Sequence, residues 1–137
     1  MKAKFFKHAT LSLLIIMVWM LYVFFNFYCE ERGAFYGIGL FFNYIYGCFF
    51  ALFIGLLSII LRAVFSRKSQ HHLLRKTDFI FIFSGFFNAL IFAVWIVALL
   101  LGILTLDNEG IFYFVGNLII CSIIFYSIYT QFKKEAR

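Results

Sequence analysis

The sequence predicts an all-α integral membrane protein, a four-helix bundle of transmembrane spans with both termini cytoplasmic. Three observations lead there. Hydrophobic residues make up 65% of the 137 and charged residues only 13%, whereas a soluble domain is ~45–50% apolar and ~25% charged. Residues 8–29, 33–61, 79–106 and 110–132 hold no Asp, Glu, Lys or Arg. The basic residues also fall on alternate sides of these stretches. Such a composition excludes a soluble enzyme, a disordered chain and a disulfide-rich secreted scaffold. The length is that of a single transmembrane domain over 1–137, with no extramembrane domain.

Each apolar stretch crosses once, because a helix needs ~20 apolar residues to cover a ~30 Å hydrocarbon core. Backbone amides in lipid have no water to bond, so the spans are helices. Strands would alternate with period two, and the run from Leu11 to Val18 does not. The predicted spans are about 9–29, 34–61, 79–105 and 110–132, with a cytoplasmic loop at 62–78.

Span one follows Lys2, Lys4 and Lys7 as a signal peptide would. The residues where cleavage would fall are bulky (Phe24, Phe25, Phe27, Tyr28), so an uncleaved span is expected. Span two carries the most regular pattern in the chain. Gly39, Asn43, Gly47, Ala51 and Gly55 recur every fourth residue, a spacing that lets helix backbones approach closely. Span three repeats it more briefly with Gly85, Ala89 and Ala93, then Ala98 and Gly102. From Leu11 to Tyr28 span one has only Ser12 as a small residue. Spans two and three are therefore expected to make the tight contacts, with span one peripheral. Thr77 or Asp78 is expected to cap span three.

Orientation follows from the basic residues. Lys2, Lys4 and Lys7 precede span one, and Arg62, Arg67, Lys68, Arg75 and Lys76 separate spans two and three. Lys133, Lys134 and Arg137 follow span four, leaving Arg32 alone of the 12 on the other side. The positive-inside rule puts the larger set in the cytoplasm. The net charge of +6 is thus a topology signal rather than a nucleic-acid surface. The loop set, Arg62 to Lys76, is the expected contact for anionic headgroups or a soluble partner.

Asn26, Asn43, Asn88 and Asn117 fall one to a span. An Asn in hydrocarbon is expected to bond across to another helix, and polar pathways or headgroup contacts are the functional alternative. Tyr22, Tyr28, Tyr36 and Tyr113 suit one interface, and Tyr126 and Tyr129 the other. Mid-span Trp19 and Trp95, with Asn117, Cys121 and Ser122 of span four, suggest packing inside the bundle or between copies. Cys48 and Cys121 read as small packing residues, and Cys29 as an interfacial thiol.

Enzyme chemistry finds no support. No HExxH, GxSxG or phosphate-binding glycine loop is present. No ionisable carboxylate or amine lies within a span, as proton-coupled transport requires. His71 and His72 are adjacent, whereas helix metal ligands sit three or four apart. No metal or cofactor is expected.

The layout of four spans, both ends inside and a basic middle loop resembles the membrane protein of the phage-lambda Rex exclusion system and the membrane subunit of the Kiwa anti-phage system. The run Phe53-Ile54-Gly55-Leu56-Leu57-Ser58-Ile59-Ile60-Leu61 and the tail Lys133-Lys134-Glu135-Ala136-Arg137 are similar to the Rex protein. The resemblance implies a bacterial inner-membrane sensor or ion-conducting effector of phage defence that works with a soluble cytoplasmic partner. The mid-span tryptophans and the polar residues of span four lead to the expectation of a homo-oligomer, for which the resemblance implies a tetramer. The resemblance carries over no functional residue. The alternatives are an immunity protein against a pore-forming bacteriocin and a holin-like or small transport protein.

Overall fold

The computed structural model describes residues 2–30, 32–33, 35–67, 71–103 and 108–135. The side chains of residues 2–3, 67, 71–76, 108–109 and 134–135 lie outside that description. Four helices make up the chain: α1 (Lys2–Cys29), α2 (Ile38–Arg67), α3 (His71–Leu100) and α4 (Asn108–Glu135). All four are long and apolar enough to cross a membrane. At 28 to 30 residues each they extend about 42–45 Å, longer than the ~30 Å hydrocarbon core. The absence of proline from the whole chain leaves every helix free of that breaker.

The helix ends differ from the expected spans. α2 runs on to Arg67 and α3 starts at His71, so most of the stretch read as the 62–78 loop is helical. Thr77 and Asp78 then lie inside α3, past its N-terminus. α2 begins at Ile38 rather than 34, after a turn at 35–37, and α3 stops at Leu100 rather than 105. Gly102 explains that stop. Its φ is +67°, its N–H donates to Leu99 O at 3.1 Å, and Ile103 N–H donates to Ala98 O at 3.0 Å. This is the Schellman pattern, in which a left-handed glycine ties off the last carbonyls of a helix. Gly102 is a helix terminator, not a member of a packing stripe.

At the other end of the α1–α2 connection Glu30 does similar work. Its carboxylate accepts from Gly37 N–H at 3.0 Å and Gly39 N–H at 3.4 Å. An acidic group there satisfies orphan donors at the α2 N-terminus and complements the helix dipole.

The helices run up and down, so both termini share one end. Phe5 and Phe132 meet edge to face at 5.1 Å, and His8 lies 5.8 Å from Phe79. α3 is the hub: it packs against all three others and is the most buried, while α1 is the least buried. Near the termini the core is Ala9, Phe81, Ile82, Ile120, Ile124 and Ile128. Toward the opposite end it is Ile16, Cys48, Ala51, Phe87, Ile91 and Trp95. Phe79, Phe83 and Phe87 stack along α3 at i, i+4 spacing, and Phe87 then meets Trp19 of α1 and Phe50 of α2. Trp95 is buried against Tyr44. Both tryptophans are thus used inside one bundle and give no reason to invoke a second copy. The outward faces remain apolar, with residues such as Leu13, Phe25, Phe53 and Phe112 more than half exposed. Water would not tolerate so much contiguous apolar surface, and lipid does.

Candidate functional site

α2 and α3 meet along a seam of small and polar residues. Ala51, Gly55, Ser58 and Arg62 of α2 oppose Asn88, Ser84, Phe81 and Asp78 of α3 in antiparallel order. The spacings of three and four on both helices hold one face toward the neighbour. Asn88 donates both amide protons, to Ala51 O across the seam at 2.7 Å and to Ser84 O of its own helix at 2.8 Å. The Ser58 and Ser84 hydroxyls meet at 2.9 Å. Each also lies within donating distance of its own helix, at Gly55 O and Phe81 O. Two hydroxyl protons serve three contacts, so the pair has more than one proton arrangement. All three of these side chains are buried.

One turn further toward the termini the seam ends in an ion pair. Arg62 Nη1 donates to Asp78 Oδ1 at 3.0 Å, with the two side chains 16% and 21% exposed. The guanidinium also lies 4.4 Å from the Phe81 ring centroid, a cation–π geometry. Lys4 and His8 of α1 and Gln131 of α4 line the small void around this pair, so all four helices converge there. Beside it, between α2 and α4, opens a cleft of about 330 Å³. It is lined by apolar Ile59, Phe81 and Ile123 and by polar Arg62, Ser66, Ser127 and Gln131.

The every-fourth-residue stripe of α2 does not act as one face. Four residues turn a helix by 400°, so each step drifts ~40° and the stripe from Gly39 to Gly55 sweeps about 160°. Gly39 abuts the Glu30 carboxylate, Gly47 faces Trp19 of α1 and Ile91 of α3, and Gly55 faces Ile120 of α4 and Asn88 of α3. Asn43 is half-buried and lines grooves between α1 and α2. Ala51, fully buried, is on the α2–α3 seam. These small residues form sockets for side chains of three different partners, rather than one track for backbone contact. The α3 stripe drifts likewise. Gly85 receives Ile124 of α4, Ala89 is half-buried, and Ala93 is exposed. Gly116, which had no place in either stripe, receives Leu52 of α2.

The four asparagines also divide. Among the described residues, Asn88 is the only one of the four that bonds across to another helix. Asn117 is buried but donates to Tyr113 O of its own helix at 2.7 Å, and its Oδ1 has no partner. Asn26 is exposed and faces the α1–α2 groove near Glu30. Of the basic loop set, Arg62 is in the ion pair. Arg67, Arg75 and Lys76 are helical by backbone, with side chains outside the description, and Lys68 lies outside the described residues. Ser58, Ser84 and the Arg62–Asp78 pair were not anticipated. The signal for the serines was present: Ala51, Gly55, Ser58 and Arg62 have the spacing of a packing face.

The cysteines are free, with Cys48 and Cys121 buried and Cys29 exposed. Among the described residues no group of three His, Cys, Asp or Glu could hold a metal ion. The chain matches no protein-family model, no curated protein and no solved structure.

Proposed function

We propose that this chain is a four-span protein of the bacterial inner membrane with both termini in the cytoplasm. In this reading it serves a phage-defence system as a membrane sensor or ion-conducting effector, together with a soluble cytoplasmic partner. The observation that carries the reading is the polar α2–α3 seam ending in the Arg62–Asp78 pair. That pair sits at the basic end of the bundle, where a partner would dock. A protein that competes for Arg62 or Asp78 would pull on the seam directly, and the seam connects inward through Ser58 and Ser84 to Asn88. Ion conduction, if it is the output, would run between copies of the chain. The centre of a single bundle is filled by residues such as Ile91, Ile124 and Phe87.

The test is to express the chain with its chromosomal neighbours in a phage-sensitive bacterium. Plaque counts, membrane potential and proteins co-purified in mild detergent are then measured. Protection that is lost in Arg62→Ala or Asp78→Ala, while membrane levels hold, is the expected result. No protection, with a monomer that binds no soluble protein, refutes the reading. Survival of a pore-forming bacteriocin in the same strain would favour an immunity protein instead.

A further inference from the structure

We propose that the groove between α1 and α2 is a binding site for a single-chain cationic amphiphile, an alkyl chain ending in an ammonium group. This depends on the chain being embedded in a membrane and not on its role in phage defence. α1 and α2 touch each other less than either touches α3, and one face of each lines the gap between them. On α1 that face is Ile16, Trp19, Val23, Asn26 and Glu30, and on α2 it is Gly39, Asn43, Tyr46 and Phe50. Steps of three and four keep each set on one side of its helix. Two cavities of about 400 and 320 Å³ follow one another along the gap and share Asn43. From Ile16 to Glu30 the groove runs about 21 Å at 1.5 Å per residue, more than half of a ~30 Å hydrocarbon core. Tyr46 and Phe50 are exposed, so the groove is open to lipid along its side.

The two ends of the groove differ in chemistry. Toward the middle of the bundle Trp19, Phe50 and Phe87 meet, and among the described residues no charged side chain lines that part. At the other end stands Glu30, half-buried. Its Oε1 lies 3.5 Å from where a Gly39 Cβ would be, on the side of α2 that lines the groove. Asn43 follows one turn along the same face of α2, and Asn26 one turn before Glu30 on α1. The carboxylate takes one N–H on each oxygen, from Gly37 and Gly39. An ionised carboxylate has about four acceptor sites, so about two remain. No described cation pairs with it, and a helix N-terminus supplies only about half a positive charge. In the sequence, the two connections at this end (30–32 and 107–109) hold four carboxylates against the one guanidinium of Arg32.

Charge and shape together select the occupant. An ammonium at Glu30 makes a charge-assisted hydrogen bond, in a half-buried place where salt screens it less than at an open surface. The amide oxygens of Asn26 and Asn43 are acceptors for its other protons. The alkyl chain then runs down the groove over Trp19 and Phe50. A neutral alcohol of the same length fills the groove but leaves the charge unmatched. A phospholipid brings its phosphate against the same carboxylate. A short amine meets the carboxylate and leaves the aromatic end uncovered.

The test uses the full chain, purified in nonionic detergent and stripped of endogenous lipid. It is titrated with hexadecylamine, hexadecanol, ethylamine or phosphatidylethanolamine, and bound molecules are counted by native mass spectrometry. One hexadecylamine per chain should be retained, about tenfold more tightly than hexadecanol, the factor that one hydrogen bond to a charged group predicts. Ethylamine should not be retained. Cys29 locates the bound molecule, because it lines the groove beside Glu30 and is exposed, whereas Cys48 and Cys121 are buried. Hexadecylamine should slow alkylation of Cys29 by a maleimide at concentrations where hexadecanol does not. Glu30→Gln keeps an acceptor for the α2 N–H groups and should bring hexadecylamine level with hexadecanol. Asn43→Leu, which fills the groove where the two cavities join, should lower retention of both. Thermal unfolding of each variant in detergent separates lost binding from lost folding. Equal retention of hexadecylamine and hexadecanol by the unaltered chain overturns the proposal, whether or not the variants fold. So does an unchanged preference in folded Glu30→Gln, or Cys29 alkylation that bound hexadecylamine leaves untouched. Tighter retention of phosphatidylethanolamine than of hexadecylamine overturns it too, and marks an ordinary leaflet lipid as the occupant.

Discussion

Replacing Gly55 by alanine puts a methyl group into a socket that is already full. A Cβ there would lie 2.5 Å from Ile120 Cγ2 and 2.9 Å from Asn88 Nδ2. The first neighbour cannot swing away cheaply, because Ile120 is β-branched, stiff at χ1 and only 4% exposed. The second can retreat only by giving up the Asn88–Ala51 bond. Overpacking of this kind costs about 1–3 kcal/mol, and an interhelical hydrogen bond in a membrane is worth about 0.6–2 kcal/mol. Against this stands the gain of about 1 kcal/mol from replacing glycine by alanine within a helix. The net expectation is a loss of about 0.6–4 kcal/mol, with Gly55→Leu worse. Gly47→Ala should cost less: the nearest atom is the far end of Trp19 at 3.2 Å, on the least buried helix. Phe53→Leu, at a position 66% exposed, should be near neutral. The assay is reversible unfolding in mixed micelles with increasing denaturing detergent. If Gly55→Ala is as stable as the parent, or more stable as helix propensity alone requires, the socket does not exist as described.

Three further outcomes follow from the same contacts. Arg62→Leu or Asp78→Leu alone should destabilise the bundle by about 1–3 kcal/mol, and the double variant by less than the two together, since a single change strands a partly desolvated charge; strictly additive losses in a double-mutant cycle would contradict the pair. Phe87→Ala empties a site 4% exposed where α1, α2 and α3 meet and should cost about 3–5 kcal/mol, read by the same unfolding assay; a loss under 1 kcal/mol would mean α1 is not docked through this ring. Topology reporters fused after residue 70 and at the C-terminus should both report cytoplasm, and a periplasmic signal at either would reverse the proposed orientation.

Much of the architecture was legible before any tertiary contact was known. Four uncharged stretches, bounded by Lys7, Glu30, Arg32, Arg62, Asp78, Asp107, Glu109 and Lys133, mark four helices because the physical requirement is local. A bilayer demands about 20 apolar residues and internally bonded backbone, and each segment meets that demand without reference to the others. The helix ends were less legible. Charge marks where lipid can end, whereas the helix itself ends where its backbone bonds are tied off, as Gly102 does for α3 and Glu30 does at the start of α2. Which helix each small residue serves was not legible either. A repeat of four looks like a stripe in one dimension, yet the helix turns ~40° with every step, so Gly39, Gly47 and Gly55 meet Glu30, Trp19 and Ile120 in turn. The Arg62–Asp78 pair shows the same limit. Both residues read as boundary charges in the sequence, and only the antiparallel docking of α2 on α3 brings them to 3.0 Å. Local composition decided that this chain forms helices long and apolar enough to span a membrane. The contacts between helices decided which of its few polar groups face one another, because that depends on helix rotation and neighbour choice, which no single segment encodes.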